Sequence, residues 1–221
     1  MLKVYHFDIN GTIIGTDSTD NVSIEEMASE ALSRSISLDG EISGEELTYY
    51  LHIKQTTKDY KSKIYNCVDE FPQHKDRYNQ LVKVFKQGLF ESFLKLVDRE
   101  FKNNKSLLVL RTFGKDRDFV ASMLKDRNMT FVSYKSGELN DKLYRDCHEK
   151  GVHIMVQDDY KRWNDNGRAV EFGKEIKHFE GIIQYGFDDN PCMNCESGVG
   201  FYRVNTLRAA LEEDYYIKML E

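Results

Sequence analysis

The chain has 221 residues, 40% hydrophobic and 31% charged, enough for one sizeable core or for a core plus a small second unit. The 31 Lys and Arg stand against 37 Asp and Glu, a net charge of -6, and no basic run offers phosphate contacts in series, which argues against a nucleic acid as partner. No apolar stretch is long enough to span a bilayer and no secretory h-region follows Met1, so membrane partners are not expected, and four cysteines without such a signal point to a reducing, cytoplasmic setting.

The first element reads as a strand: Leu2, Val4, Tyr5 and Phe7 form a short apolar run that ends at Asp8. A turn rich in small and polar residues follows, from Asn10-Gly11-Thr12 through Gly15-Thr16-Asp17-Ser18. From there to Lys105 the pattern is helical. Ser23 and Glu26 make a capping box ahead of Ile24, Met27, Ala31 and Leu32, and Ser43 and Glu46 repeat that start before Leu47, Tyr50 and Leu51. Tyr60, Ile64, Val68 and Phe71 form a third stripe. Leu81, Phe85, Leu89, Phe93, Val97 and Phe101 recur every four residues and predict one long helix.

After Lys105 the period changes. Leu107-Leu108-Val109-Leu110 is a buried-strand run, and Asp116 is placed to cap a helix carrying Phe119, Val120, Met123 and Leu124. Thr130-Phe131-Val132 reads as a strand, Leu139, Leu143 and Tyr144 as a helix closed by Gly151, and Val152–Val156 and Ile182–Tyr185 as further strands. Phe201–Val204 adds one more before a terminal helix bearing Leu207, Ala210, Leu211, Tyr215 and Leu220. Strands alternating with helices predict an α/β fold, a Rossmann-like three-layer parallel sheet core with an all-helical cap inserted after the first strand. Residues 1–16 and 101–221 make the core in this reading, and residues 17–100 the cap.

In an open parallel sheet, ligands sit beyond the carboxyl ends of the strands. Three such ends are polar here: Asp8-Ile9-Asn10-Gly11-Thr12, Arg111-Thr112-Phe113-Gly114, and Phe187-Asp188-Asp189-Asn190, the last preceded by Gly173-Lys174. The stretch from Val4 to Thr12 resembles motif I of the haloacid dehalogenase superfamily, an apolar strand followed by D-x-D-G-T. Thr112 resembles its motif II hydroxyl residue, Lys174 its motif III lysine, and Asp188-Asp189 its paired motif IV acids, in the family's order. The resemblance implies a Mg²⁺-dependent phosphatase-type hydrolase acting on a small phosphorylated metabolite. Asp8 would be the nucleophile, Asp8, Asp188, Asp189 and the carbonyl of Asn10 the metal ligands, and Thr112 and Lys174 the phosphate-binding residues. The chemistry is consistent: a carboxylate attacks phosphorus when a cation screens the two anions, and Mg²⁺ takes oxygen ligands from one or two carboxylates, phosphate and water.

Asn10 departs from the pattern. Hydrolytic members carry an acid there that protonates the leaving group and then activates water, and an amide does neither. General acid/base catalysis contributes on the order of 10²–10⁴ in rate. Three readings stay open: an atypical phosphatase with its proton relay elsewhere, a protein that binds a phosphorylated ligand without turnover, or an engineered Asp-to-Asn trap. A phosphotransferase is a further class. A rival acidic pair, Asp158-Asp159, also follows an apolar strand, but it would need Lys142 or Lys150 as the lysine and reads as a polar loop near the site entrance. Cys192 and Cys195 form a lone C-x-x-C without the second pair that a structural zinc site wants, and read as plain thiols.

Overall fold

The computed structural model describes residues 1–16, 22–42, 48–102, 105–190 and 192–221. The start signal at Ser43 and Glu46 lies outside them, as do Asp17-Ser18. The chain is α/β, and its centre is a six-stranded sheet whose pairings are parallel. The strands are β1 (Leu2–Asp8), β2 (Leu107–Thr112), β3 (Phe131–Lys135), β4 (His153–Gln157), β6 (Ile182–Asp188) and β8 (Gly200–Arg203), in the order β3-β4-β2-β1-β6-β8. β5 (Lys174–Ile176) and β7 (Met193–Cys195) form a separate two-stranded parallel sheet that sequence reading did not anticipate. Each is only three residues long, below the length at which a period shows.

Alternation along the strands splits the core in two. Val4, Leu107, Val109, Ile154 and Val156 face α8 (Asp141–Glu149), where Tyr144 and Cys147 cover them. Tyr5, Phe7, Leu108, Leu110 and Phe187 face the other way, into a cluster shared with the helices that lie between β1 and β2 in the chain and with the terminal helices. Those in the interval are α1 (Ile24–Ser33), α2 (Tyr49–Thr56), α3 (Tyr60–Tyr65), α4 (Cys67–Glu70), α5 (Lys75–Gln87) and α6 (Glu91–Leu96). The remaining helices are α7 (Arg117–Leu124), α9 (Tyr160–Asp165), α10 (Thr206–Leu211) and α11 (Tyr215–Met219). Among the described residues, no helix is long and apolar enough to cross a membrane.

The Ser23–Glu26 capping box forms in both directions. The single long helix expected over Leu81–Phe101 does not: the chain turns at Gly88, whose φ is +99°, and Leu89 then bridges Ile14 while the Phe90 N–H donates to the Ile13 carbonyl. The backbone conformation is what favours glycine at position 88, since the Met123 thioether end that a Cβ would meet at 2.5 Å is flexible enough to move. All six apolar residues of that stripe are nonetheless buried, because α6 and the π-helical turn Val97–Phe101 resume the same face. The stripe Tyr60–Phe71 is divided at Asn66 into α3 and α4, and the expected terminal helix is divided into α10 and α11 around Glu212–Asp214. Ile36 and Ser37 make isolated β-bridges to Ile42 and Thr48 within the interval read as helical. Asp116 precedes α7 as expected, but its side chain does not cap the helix.

Two buried imidazoles are held neutral by this packing. His6 Nε2 meets Gln184 Oε1 at 3.2 Å, and Gln184 donates its own amide to the Lys177 carbonyl, so His6 is the donor and its buried Nδ1 has no partner. Burial, then the nearby Arg111, lowers its pKa to about 3. His153 Nδ1 accepts the Leu108 N–H at 3.2 Å, and burial followed by His148 lowers its pKa to about 4. Both folded values lie below the unfolded one, so this stability is full above about pH 6.5 and is lost as pH falls towards the folded values. In His153→Asn, Oδ1 can take the Leu108 N–H without titrating. The stability difference between wild type and this variant, read from urea unfolding, should fall by about 2 kcal/mol between pH 7.5 and pH 5; a difference that stays constant would contradict a neutral buried His153.

Candidate active site

β1 lies between β2 and β6, with Asp8 in register with Arg111 and Phe7 with Phe187, so the carboxyl ends of three strands open at one place. There the carboxylates of Asp8, Asp188 and Asp189, all buried, offer oxygens within 4.8 Å of one another. Lys174, the first residue of β5, enters between two of them: its ammonium donates to Asp8 Oδ1 and, at 2.9 Å, to Asp188 Oδ2. The same small sheet fixes Lys174 from behind, since its N–H donates to the Cys192 carbonyl while Cys192 Sγ lies 3.0 Å from Asp188 Oδ2. Thr12 ties the two strand ends together, its hydroxyl accepting the Asp189 N–H at 3.1 Å and facing Asp8 Oδ2 at 3.5 Å. Gly11 has φ +74°, and a Cβ there would lie 2.7 Å from Asp189 Oδ2. Only glycine fits beside that carboxylate.

The turn is held from the opposite side by aromatic packing. Phe7 and Phe187 stack with centroids 4.3 Å apart, Tyr216 stands edge-on to both, and its hydroxyl donates to the Thr12 carbonyl.

Three carboxylates and one lysine in a buried place leave excess negative charge. Burial pushes Asp8 well above the ordinary carboxylate range; Lys174 opposes this, while Asp188 and Asp189 add to it. Burial likewise raises Asp189 to about 7, against the pull of Arg34 and with Asp188 adding to the rise. Burial disfavours the Lys174 charge, but Asp188 and Asp8 outweigh it and hold the ammonium well above its usual value. Asp189 Oδ1 is buried with no hydrogen-bond partner among the described residues. An all-oxygen donor set with surplus negative charge and an orphaned carboxylate oxygen fits a hard divalent cation such as Mg²⁺.

Asn10 lies beside this cluster, and every polar group of its side chain is engaged. Nδ2 donates to the Thr16 carbonyl at 2.7 Å and to Asp116 Oδ2 at 2.8 Å, and Oδ1 accepts from the Thr112 hydroxyl at 3.2 Å. That hydroxyl also accepts the Gly114 N–H at 2.8 Å. The amide orientation follows from the partners, since only an N–H₂ satisfies both a carbonyl and a carboxylate.

The structure thus brings Asp8, Asp188, Asp189 and Lys174 together, while the Thr112 hydroxyl points to Asn10. Asp158 is elsewhere: it forms a buried two-point pair with Arg111, at 3.1 Å and 2.5 Å, and Arg111 also donates to the Glu175 carbonyl at 2.7 Å. Asp159 caps α9 through the Arg162 N–H. Nothing in the local pattern marked Arg34, Asp116 or Cys192 as neighbours of the site, and Arg111, at one of the three polar strand ends, carried no sign of its pairing with Asp158. The one signal was Arg111, a charge inside an otherwise apolar strand run. The cysteines are free thiols.

A cavity of about 740 Å³, within the range of small-molecule sites, opens from the carboxylates and is walled by α1–α3, the Phe113-Gly114 turn and α9. Comparison of the chain with protein-family models, curated proteins and solved structures finds no match.

The Asn10 contacts generate a test of their own. In Asn10→Asp an acceptor would face the Thr16 carbonyl and the Asp116 carboxylate, replacing two part-buried hydrogen bonds by repulsion at a cost of about 1–3 kcal/mol. Asn10→Asp/Asp116→Asn puts a donor back between the two side chains and should recover a large part of that loss in thermal unfolding. Equal stability of the single and double variants would mean that the 10–116 contact does not hold the turn.

Proposed function

We propose that the chain is a Mg²⁺-dependent phosphoric ester hydrolase of the haloacid dehalogenase type, acting on a small phosphorylated substrate. The observation that carries this reading is the buried oxygen cluster at three parallel strand ends, with Lys174 lodged between Asp8 and Asp188. Asp8, Asp188, Asp189 and the Asn10 carbonyl would hold the cation, and a bound Mg²⁺ supplies the positive charge that lets an anionic carboxylate approach an anionic phosphate. The Asp8 carboxylate forms a bond to phosphorus as the ester oxygen leaves, giving an aspartyl-phosphate, and water then releases phosphate and regenerates Asp8. Lys174 exchanges its bond to Asp8 for one to a phosphate oxygen. Thr112 serves the same phosphate indirectly, by fixing Asn10 and the Gly114 N–H. The helices between β1 and β2 are the cap in this reading. α1, α2 and α3 bring Arg34, Tyr50, Lys54 and Tyr60 to the cavity, while Phe93 of α6 packs edge-on to Phe7 of the sheet.

The step without an evident agent is proton delivery to the leaving oxygen. Asn10 carries no proton it can give up, and its amide is already bonded on every side. This favours the second reading, a protein that binds a phosphorylated ligand with little or no turnover.

Phosphate release separates the two. With Mg²⁺, wild type should release little phosphate from alkyl esters and more from esters with activated leaving groups such as p-nitrophenyl phosphate. Asn10→Asp/Asp116→Asn should raise alkyl-ester turnover by about 10²-fold or more, and Asp8→Ala in that background should abolish it. If the double variant stays inert on a broad ester panel while Mg²⁺ still raises its melting temperature, the binding reading replaces the hydrolase.

A further inference from the structure

Beyond the carboxylates, the cavity has an aromatic wall and a cationic one. Phe113 stacks on Trp163 with centroids 4.8 Å apart and planes 11° from parallel, and Tyr160 stands edge-on to both. The Lys174 ammonium lies 5.0 Å from the Phe113 ring centroid, so the aromatic wall begins at the reacting groups. Trp163 is partly buried beneath this stack, which leaves an aromatic surface of Phe113, Tyr160 and Trp163 lining the cavity.

The charge of the remaining lining is opposite to that of the chain. Among the described residues, and outside the carboxylate cluster and Lys174, the cavity is lined by four cations, Arg34, Lys54, Lys61 and Arg168, and by one anion, Glu30, in a protein of net charge -6. Glu30 is already taken by Arg34 at 2.7 Å. Arg34 is itself stacked over Tyr50 at 4.2 Å and bonded to Asn190 Oδ1 at 3.2 Å, which fixes it next to Asp189. No carboxylate pairs with Lys54, Lys61 or Arg168 among the described residues. Lys54 leans on the Tyr50 ring at 5.6 Å and Arg168 on Trp163 at 5.5 Å, so both charges stand over aromatic surface.

We propose, on the reading of this site as one for phosphate esters, that its ligand is a planar heteroaromatic phosphate ester with a second anionic group, the chemistry of a nucleoside bisphosphate. The scissile phosphate occupies the Asp8–Lys174 end. The ring lies along the aromatic wall of Phe113, Tyr160 and Trp163. The second phosphate meets Lys54 and Lys61 from the helical wall and, from the aromatic one, Arg168, which Asn164 Oδ1 and the Tyr160 hydroxyl hold in place at 3.2 Å each. A sugar monophosphate would use the first of these features and leave the other two idle.

Four probes separate ring from charge: ribose 5-phosphate has neither, fructose 1,6-bisphosphate the second anion alone, adenosine 5′-monophosphate the ring alone, and adenosine 3′,5′-bisphosphate both. Calorimetric binding to the whole chain in Mg²⁺, with phosphate release recorded in parallel for Asn10→Asp/Asp116→Asn, should rank the nucleoside bisphosphate about tenfold or more tighter than any other probe. Lys54→Ala/Lys61→Ala, at exposed positions, should remove the advantage of the second phosphate and leave adenosine 5′-monophosphate unchanged. Trp163→Ala should weaken the two nucleotides and spare the two sugar phosphates. Equal affinity for the two bisphosphates overturns the ring; equal affinity for the two nucleotides overturns the second anion; and no binding by any probe overturns the ligand class. The expected ranking with no release from any probe by Asn10→Asp/Asp116→Asn would retain the ligand class and remove the hydrolase, whereas release by that variant from ribose 5-phosphate as fast as from the nucleotides would do the reverse.

Discussion

Three carboxylates buried within 4.8 Å of one another are the constraint on which the architecture turns. Such a cluster repels itself, and the low local dielectric makes that repulsion stronger than it would be in water. Lys174 offsets part of it, and only because β5 and β7 place its ammonium between Asp8 and Asp188. The parallel sheet is what brings the acids together, since β1 and β6 run the same way and deliver Asp8 and Asp188 to the same edge. Gly11 then leaves room for Asp189, and Tyr216 and Thr12 hold the turn that carries the first acid.

The lysine is held at a distance by a second buried pair. Arg111 is fully buried, binds Asp158 through two nitrogens, and donates its third to the Glu175 carbonyl, one residue beyond Lys174. This joins β2, the end of β4 and β5 in one network. A charge so deep stabilises the fold only while its partner is present, because an unpaired buried ion costs several kcal/mol. Asp158 therefore belongs to the support of the site, although its sequence context resembles that of the acids inside it.

Much of the sheet was legible in the sequence because its strands are short apolar runs bounded by turn residues, and each such run found its place in β1, β2, β3, β4, β6 or β8. The acids at strand ends were legible for the same reason: a polar residue that terminates a buried run must lie at an edge. Helix boundaries were less so. The four-residue spacing from Leu81 to Phe101 survives a complete break at Gly88, since a face can be resumed after a turn, and periodicity alone does not register the interruption. The Arg111–Asp158 and Asn10–Asp116 pairs join residues far apart in the chain, and local pattern carries no information on which charges meet. Thr112 illustrates the limit: its position at a strand end was readable, but the direction of its hydroxyl was set by Asn10.

The central claim is that Asp8 takes a phosphoryl group, and a covalent adduct tests it most directly. With Asn10 unable to activate water, an aspartyl-phosphate formed from an activated ester should break down slowly and accumulate. Acid quenching after brief exposure to p-nitrophenyl phosphate and Mg²⁺, followed by peptide mass spectrometry, should find one hydroxylamine-labile phosphoryl group on Asp8, and none in Asp8→Ala. A phosphoryl group on another residue, or phosphate release in ¹⁸O-labelled water with no adduct at any time, would contradict the account.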